Sequence, residues 1–236
     1  MSILGSPLII PSGGSPTPSP RLPAEYQEVE YIQTDGTAYI DTGYAFSGDA
    51  QFEFEMMYGG VGGHLFGASN SNGGIRFLVS VETNTAYEFY GTNTAGTSFA
   101  SYPVPFGRNI TNEMICTKGV MRPNYFVCLQ DDMRYGGYAT AQVGSYSLTD
   151  TAYILAQHYK GGKRGESGNR FKLFFIADWS GSEYVDTRNM ISCYRKSSGV
   201  IGMYDLAQSG AGNDPLDSNF FINAAASGSF TKGADV

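Results

Sequence analysis

Apolar and polar residues alternate with a period of two along much of this 236-residue chain, the spacing of half-buried strands rather than of helices. The cleanest case is Gln51-Phe-Glu-Phe-Glu-Met56, which sets Phe52, Phe54 and Met56 on one face and Glu53 and Glu55 on the other. Further strands are predicted over residues 65–68, 75–81, 86–90, 108–117, 124–129, 152–157, 171–178 and 184–193. Glycine-rich loops separate them at 58–63, 69–74 and 160–168. Asp35-Gly36, between Val29/Tyr31 and Tyr39/Ile40, predicts a tight hairpin. Residues 191–206 alternate around Ser198-Gly199 and predict a closing hairpin, followed by apolar segments at 220–224 and 228–233. A dozen or so strands without a helical run make an all-β protein of two packed antiparallel sheets.

Residues 1–21 break this pattern. Prolines at 7, 11, 16, 18 and 20 exclude helix and central strand, and Ser and Gly fill most of the remainder. Ile3, Leu4, Leu8, Ile9 and Ile10 are apolar beads that a bare linker does not need. Composition fits either an anchor peptide laid into a groove on another subunit or a disordered leader. The chain thus divides into an arm, 1–21, and a sandwich, 22–236.

Three segments carry a family resemblance: 22–43 (LPAEYQEVEYIQTDGTAYIDTG), 64–68 (HLFGA), and the closing CYRKSSGVIGMYDL with 220–233. Together they resemble the concanavalin A-like (laminin-G-like) jelly-roll module of phage and prophage virion proteins. The resemblance implies a two-sheet jelly roll and a virion-surface protein assembled in the host bacterial cytoplasm. It also implies capsid or tail partners bound through residues 1–21, a homo-oligomer, and adhesion to host or environmental glycans without catalysis. A purely structural decoration protein and a glycoside hydrolase are the alternatives.

Composition and charge narrow the partners. Thirty-one glycines and many aromatics suit turns and pleated surfaces. A net charge of −7 with 15 basic residues supplies no phosphate-neutralising patch, so no nucleic-acid partner is expected. No apolar run approaches the roughly 20 residues of a membrane span, so no insertion is expected. Residues 1–10 lack the basic start of a signal peptide. Cys116, Cys128 and Cys193 sit in apolar strand contexts without metal-ligand spacing and read as buried free thiols.

Chemistry has few candidates. Glucanases on this fold resemble Glu-x-Asp-x-x-Glu, whereas this chain reads Glu53-Phe-Glu55-Met-Met-Tyr58, which lacks the last acid. An outer polar face explains both glutamates, so no catalytic residue is assigned. Asp205, Asp214 and Asp217 gather oxygen atoms in one loop and are weak calcium candidates, but Asp also favours turns without metal, and no cofactor is expected. For sugars, loop and strand-end aromatics are the candidates: Trp179, Tyr87, Tyr90, Tyr102 and Tyr159, with His158 beside them.

Overall fold

The computed structural model describes residues 22–46, 49–57, 59, 63–70, 76–83, 86–92, 98–100, 104–105, 111–122, 125–130, 148–160, 162–164 and 168–236. The arm residues Ile3, Leu4, Leu8, Ile9 and Ile10, and Tyr102, lie outside them. Among the described residues there are nineteen strands and no helix. In chain order they begin with β1 (Tyr26–Glu28), β2 (Ile32–Thr34), β3 (Ile40–Asp41), β4 (Ala50–Met57), β5 (Gly63–Ser69), β6 (Arg76–Thr83) and β7 (Ala86–Thr92). Next come β8 (Ser98–Ala100), β9 (Val104–Pro105), β10 (Met114–Arg122), β11 (Tyr125–Gln130), β12 (Tyr153–Ile154), β13 (Gln157–Tyr159) and β14 (Gly162–Arg164). The last are β15 (Arg170–Trp179), β16 (Tyr184–Arg195), β17 (Ile201–Asp205), β18 (Phe220–Ile222) and β19 (Phe230–Lys232).

They form two sheets. The larger runs β11-β10-β4-β15-β16-β17-β18, with β1 on β16 and β2 joining β15 to β19. The smaller runs β14-β13-β5-β6-β7-β8, with β12 joining β5 to β3 and β9 on β7. The predicted all-β two-sheet sandwich is therefore the observed fold.

Two expectations are corrected. The Asp-Gly segment does not close a hairpin, because β2 pairs with β15 and β19 in the larger sheet while β3 pairs with β12 in the smaller. Asp35 Oδ1 instead accepts the amides of Thr37 and Ala38, at 2.8 and 3.0 Å, and Asp35 Oδ2 accepts that of Ser229 at 2.8 Å. The turn thus carries the chain from one layer to the other. The strand predicted over 152–157 is split into β12 and β13, because Leu155 adopts φ 64° and ends the extended run.

Alternation decides the core. Along β4 every second residue is buried, which places Phe52, Phe54 and Met56 inside and Glu53 and Glu55 outside. Register extends this across the larger sheet: Thr117, Phe54, Phe174 and Met190 are successive partners on the inner face. Phe174 meets Phe66 of the smaller sheet at 4.8 Å between ring centroids, and burying each such ring contributes about 1.5–3 kcal/mol. Gly119 pairs with Phe52, and a Cβ there would run into the Phe52 ring.

A second buried cluster lies on the outer face of the larger sheet. Tyr26, Cys193, Tyr204 and Phe220 form it, edged by Leu22, Val200, Leu206 and Ile222. The excursion 206–219 is fastened over this cluster. Arg195 Nη2 donates to Asp214 Oδ1 at 2.6 Å, and the Tyr26 hydroxyl donates to Asp217 Oδ2 at 2.8 Å. The Arg195 guanidinium lies over the Phe220 and Tyr26 rings, at 5.3 and 5.8 Å. Asn213 pairs with both backbone groups of Ile222 and so covers the edge of β18.

Burial alone would raise the Asp214 carboxyl, but Arg195 and the amides of Leu216 and Asp217 outweigh it and hold it below the usual carboxylate range. A depressed native value stabilises the fold at neutral pH and is lost as pH falls through it. Asp214→Ala, which strands the Arg195 charge, is expected to cost about 3–5 kcal/mol in denaturant melts. Asp214→Asn should also flatten the loss of stability that the parent shows below about pH 4. An unchanged melt in both variants would refute this role for the pair.

Candidate functional site

The smaller sheet brings three rings together on neighbouring strands. Ile40 and Ile154, partners in the β3–β12 ladder, are buried in the core, so Tyr39 and Tyr153 stand on the opposite, outer side. Tyr39 stacks on Tyr153 at 4.3 Å with 27° between planes, and Tyr153 stacks on His158 at 4.3 Å and 7°. Tyr153 is buried, while Tyr39 and His158 are half-buried. Both faces of Tyr153 are therefore taken by its neighbours, and the ends of the row belong to Tyr39 and His158.

The polar atoms around this row are ordered. His158 Nδ1 lies 3.0 Å from the Thr151 carbonyl, which only accepts, so Nδ1 carries the proton. His158 Nε2 faces Asp150 Oδ2 at 4.0 Å. Lys163, the cross-strand partner of His158, donates to the Gly36 and Thr37 carbonyls and ties β14 to the Asp35 turn. Burial raises the Tyr153 phenol well above its ordinary value, and a hydrogen bond with Tyr39 and the nearby Asp41 and Asp150 carboxylates add to it. The hydroxyl stays protonated and able to donate. Such a row, with apolar ring bodies and polar tips, has the means to hold a polyol.

Of the other sequence-predicted binding residues, Tyr159 and Trp179 have described side chains. Tyr159 ends β13 beside His158, with the Lys160 ammonium 5.3 Å from its ring centre. Trp179 belongs to the other sheet, where it packs edge-on against Tyr184, its partner across the β15–β16 hairpin, at 5.1 Å. Tyr87 and Tyr90 lie on β7 in register with Val81 and Leu78 of β6. Tyr39 and Tyr153 were read as strand residues and not as site residues, because the pairing of β3 with β12 that brings them together is not visible in the sequence. The Tyr-x-Asp of Tyr39–Asp41 was the available signal.

The calcium candidates are committed elsewhere. Asp205 is buried and accepts the amides of Asn189, Ala207 and Ser209. Asp214 takes Arg195 and the amides of Leu216 and Asp217. Asp217 takes the Tyr26 hydroxyl and the Asn219 amide. Their oxygens fasten the 206–219 excursion, and among the described residues no group of three or more His, Cys, Asp or Glu side chains is placed to hold a metal.

Glu53 and Glu55 occupy the outer face, as their alternation requires, and pair with Lys118 at 3.6 Å and Lys172 at 3.3 Å. Cys116 donates to Glu53 at 3.5 Å. Burial and the Glu53 charge push its thiol up to about 12, so it is a poor nucleophile at neutral pH.

No family model and no curated protein matches the chain. Among the solved structures that resemble it are the following two. Domains LG4-5 of the mouse laminin alpha1 chain share 16% identity at TM-score 0.51, over 68% of this chain and 44% of that one. A Bacteroides ovatus protein, described as a candidate carbohydrate-binding protein, shares 10% identity at TM-score 0.54, over 89% of this chain and 62% of that one. This chain thus spans less than two thirds of either neighbour. At such identities the likeness concerns the fold, and it supports a concanavalin A-like jelly roll.

Removing the Glu53 charge should ease thiolate formation at Cys116. Glu53→Gln is expected to speed Cys116 alkylation at pH 8 several-fold, read by mass spectrometry of the native protein. An unchanged or slower rate would contradict the placement of this side chain.

Proposed function

We propose that this chain is a non-catalytic, glycan-binding β-sandwich whose ligand meets the Tyr39–Tyr153–His158 row. The observation that carries the reading is this unbroken stack of three rings, edged by the Asp41 and Asp150 carboxylates and the Thr151 carbonyl. Hydroxyl groups of a sugar suit these polar tips, and the half-buried ends of the row offer apolar ring area. The neighbour described as a candidate carbohydrate-binding protein is consistent with it. Lysine partners on both Glu53 and Glu55 speak for binding without turnover, since glycoside cleavage needs two carboxyl groups facing one bond.

The finer setting is a virion surface, and its support is the resemblance of residues 22–43, 64–68, 191–206 and 220–233. In that setting residues 1–21 hold the sandwich to a capsid or tail protein, and repetition over the particle multiplies weak contacts.

A glycan array followed by calorimetry tests the site. Tyr39→Ala and His158→Ala are each expected to weaken the best ligand at least tenfold, with Trp179→Ala unchanged and no reducing sugar released. Binding lost in Trp179→Ala and kept in the other two would move the site to the β15–β16 hairpin. A protein that binds no glycan on the array would sink the reading and leave the structural decoration role.

A further inference from the structure

The polar groups along the Tyr39–Tyr153–His158 row share one character. Asp41 is the cross-strand partner of Tyr153, so its carboxylate stands on the same outer side, with Oδ1 accepting the Gly43 amide at 3.0 Å. Asp150 lies at the other end, with Oδ2 4.0 Å from His158 Nε2. The Thr151 carbonyl accepts the proton of His158 Nδ1, which leaves a lone pair on Nε2 of the neutral ring. Two acceptors therefore face each other, and among the described residues Asp150 Oδ2, a buried atom, has no hydrogen-bond donor. Apart from the Tyr39 and Tyr153 hydroxyls, the side-chain polar groups described along the row accept, and two of them are anions.

The cations of this region are directed elsewhere. Lys163, opposite His158 on β14, donates to the Gly36 and Thr37 carbonyls. Lys160 has its ammonium 5.3 Å from the centre of the Tyr159 ring, which alternation sets on the other side of β13 from His158. Arg188 feels the Asp41 charge but is buried, and it donates to the Thr42 and Thr187 carbonyls. Burial first, then the Tyr39 hydroxyl and the Asp41 and Asp150 carboxylates, hold the Tyr153 phenol in its protonated form. The surroundings of the row thus retain protons and repel negative charge.

A ligand that completes this surface brings donors and positive charge. A protonated primary amine supplies three N–H donors and no acceptor, and an ammonium is attracted to the face of a tyrosine ring. An acetylated amine loses the charge, and a sugar carboxylate meets Asp41 and Asp150 with like charge, which opposes binding.

We propose that the Tyr39–Tyr153–His158 row selects sugars with a free, protonated amine, of the 2-amino-2-deoxyhexose class, over acetylated and carboxylate-bearing ones. The ammonium meets His158 Nε2 as direct acceptor, with Asp41 and Asp150 supplying the attraction, and the sugar ring lies on the half-buried rings. This rests on the glycan-binding reading of the row and adds to it the sign of the ligand's charge.

Calorimetry of the full chain with hexamers of β-linked glucosamine and of β-linked N-acetylglucosamine tests it. The glucosamine hexamer is expected to bind about tenfold tighter. That advantage should shrink between about 0.01 M and about 1 M salt, as the Debye length falls from about 30 Å to about 3 Å. Asp41→Asn, which keeps an oxygen for the Gly43 amide, and Asp150→Asn should each narrow it, with unchanged far-ultraviolet spectra. An advantage kept in Tyr39→Ala would belong to the chain's net charge of −7 rather than to the row, and would overturn the proposal. Equal affinities, tighter binding of the acetylated hexamer, or an advantage unchanged in both Asn variants would overturn it too. In those cases glycan binding itself still stands if Tyr39→Ala weakens it, whereas a glycan array without any ligand removes both readings.

Discussion

The pairing of β4, β15 and β16 is the constraint from which the other features follow. A side-chain period of two means that a one-residue slip in this ladder would send Phe54 and Phe174 to solvent and Glu53 and Glu55 into the core. Burying unpaired carboxylates and exposing the Phe rings both cost free energy, so a single register survives. That register builds the inner row that meets the smaller sheet and the outer row that runs from Cys116 to Phe220. The sandwich core, the lysine-paired glutamates and the covered aromatic cluster are all consequences of it.

Polar groups then finish what the apolar pattern begins. Arg195, drawn over Tyr26 and Phe220 and paired with Asp214, fastens an excursion that has no strand partner of its own along most of its length. Asp35 turns the chain between layers, and Lys163 ties the smaller sheet's outer strand to that turn. On the smaller sheet the same logic of short strands held by side chains places Tyr39, Tyr153 and His158 in one row. The proposed ligand surface and the stabilising contacts are therefore close neighbours: Asp41 acts electrostatically on Tyr153 while its carboxylate also accepts the Gly43 amide.

How much of this was legible depended on strand length. The eight-residue alternation of β4 and the long β15 and β16 showed their faces directly, and the Ser198-Gly199 turn marked the β16–β17 hairpin. The Asp35-Gly36 signal misled because local turn chemistry does not say which sheet receives the following strand. Leu155 at positive φ hid the break between β12 and β13, since a branched apolar residue carries no turn signature. The acidic residues 205–217 were recognisable as turn formers. Arg195, the partner of Asp214, was not, because the distance between them closes only in the folded chain. Of the binding candidates, His158 belongs to the row, Tyr159 follows it on the same strand, and Trp179 lies on the other sheet. Aromatic content alone does not distinguish a platform from core filling.

The register of the larger sheet can be measured directly by cross-strand backbone nuclear Overhauser contacts on the isotope-labelled chain. The structure requires Glu55 opposite Leu173, Leu173 opposite Ile191, and Ile191 opposite Tyr204, as one continuous row. Contacts offset by one residue at any of these steps, or helical medium-range contacts through β15, would contradict it.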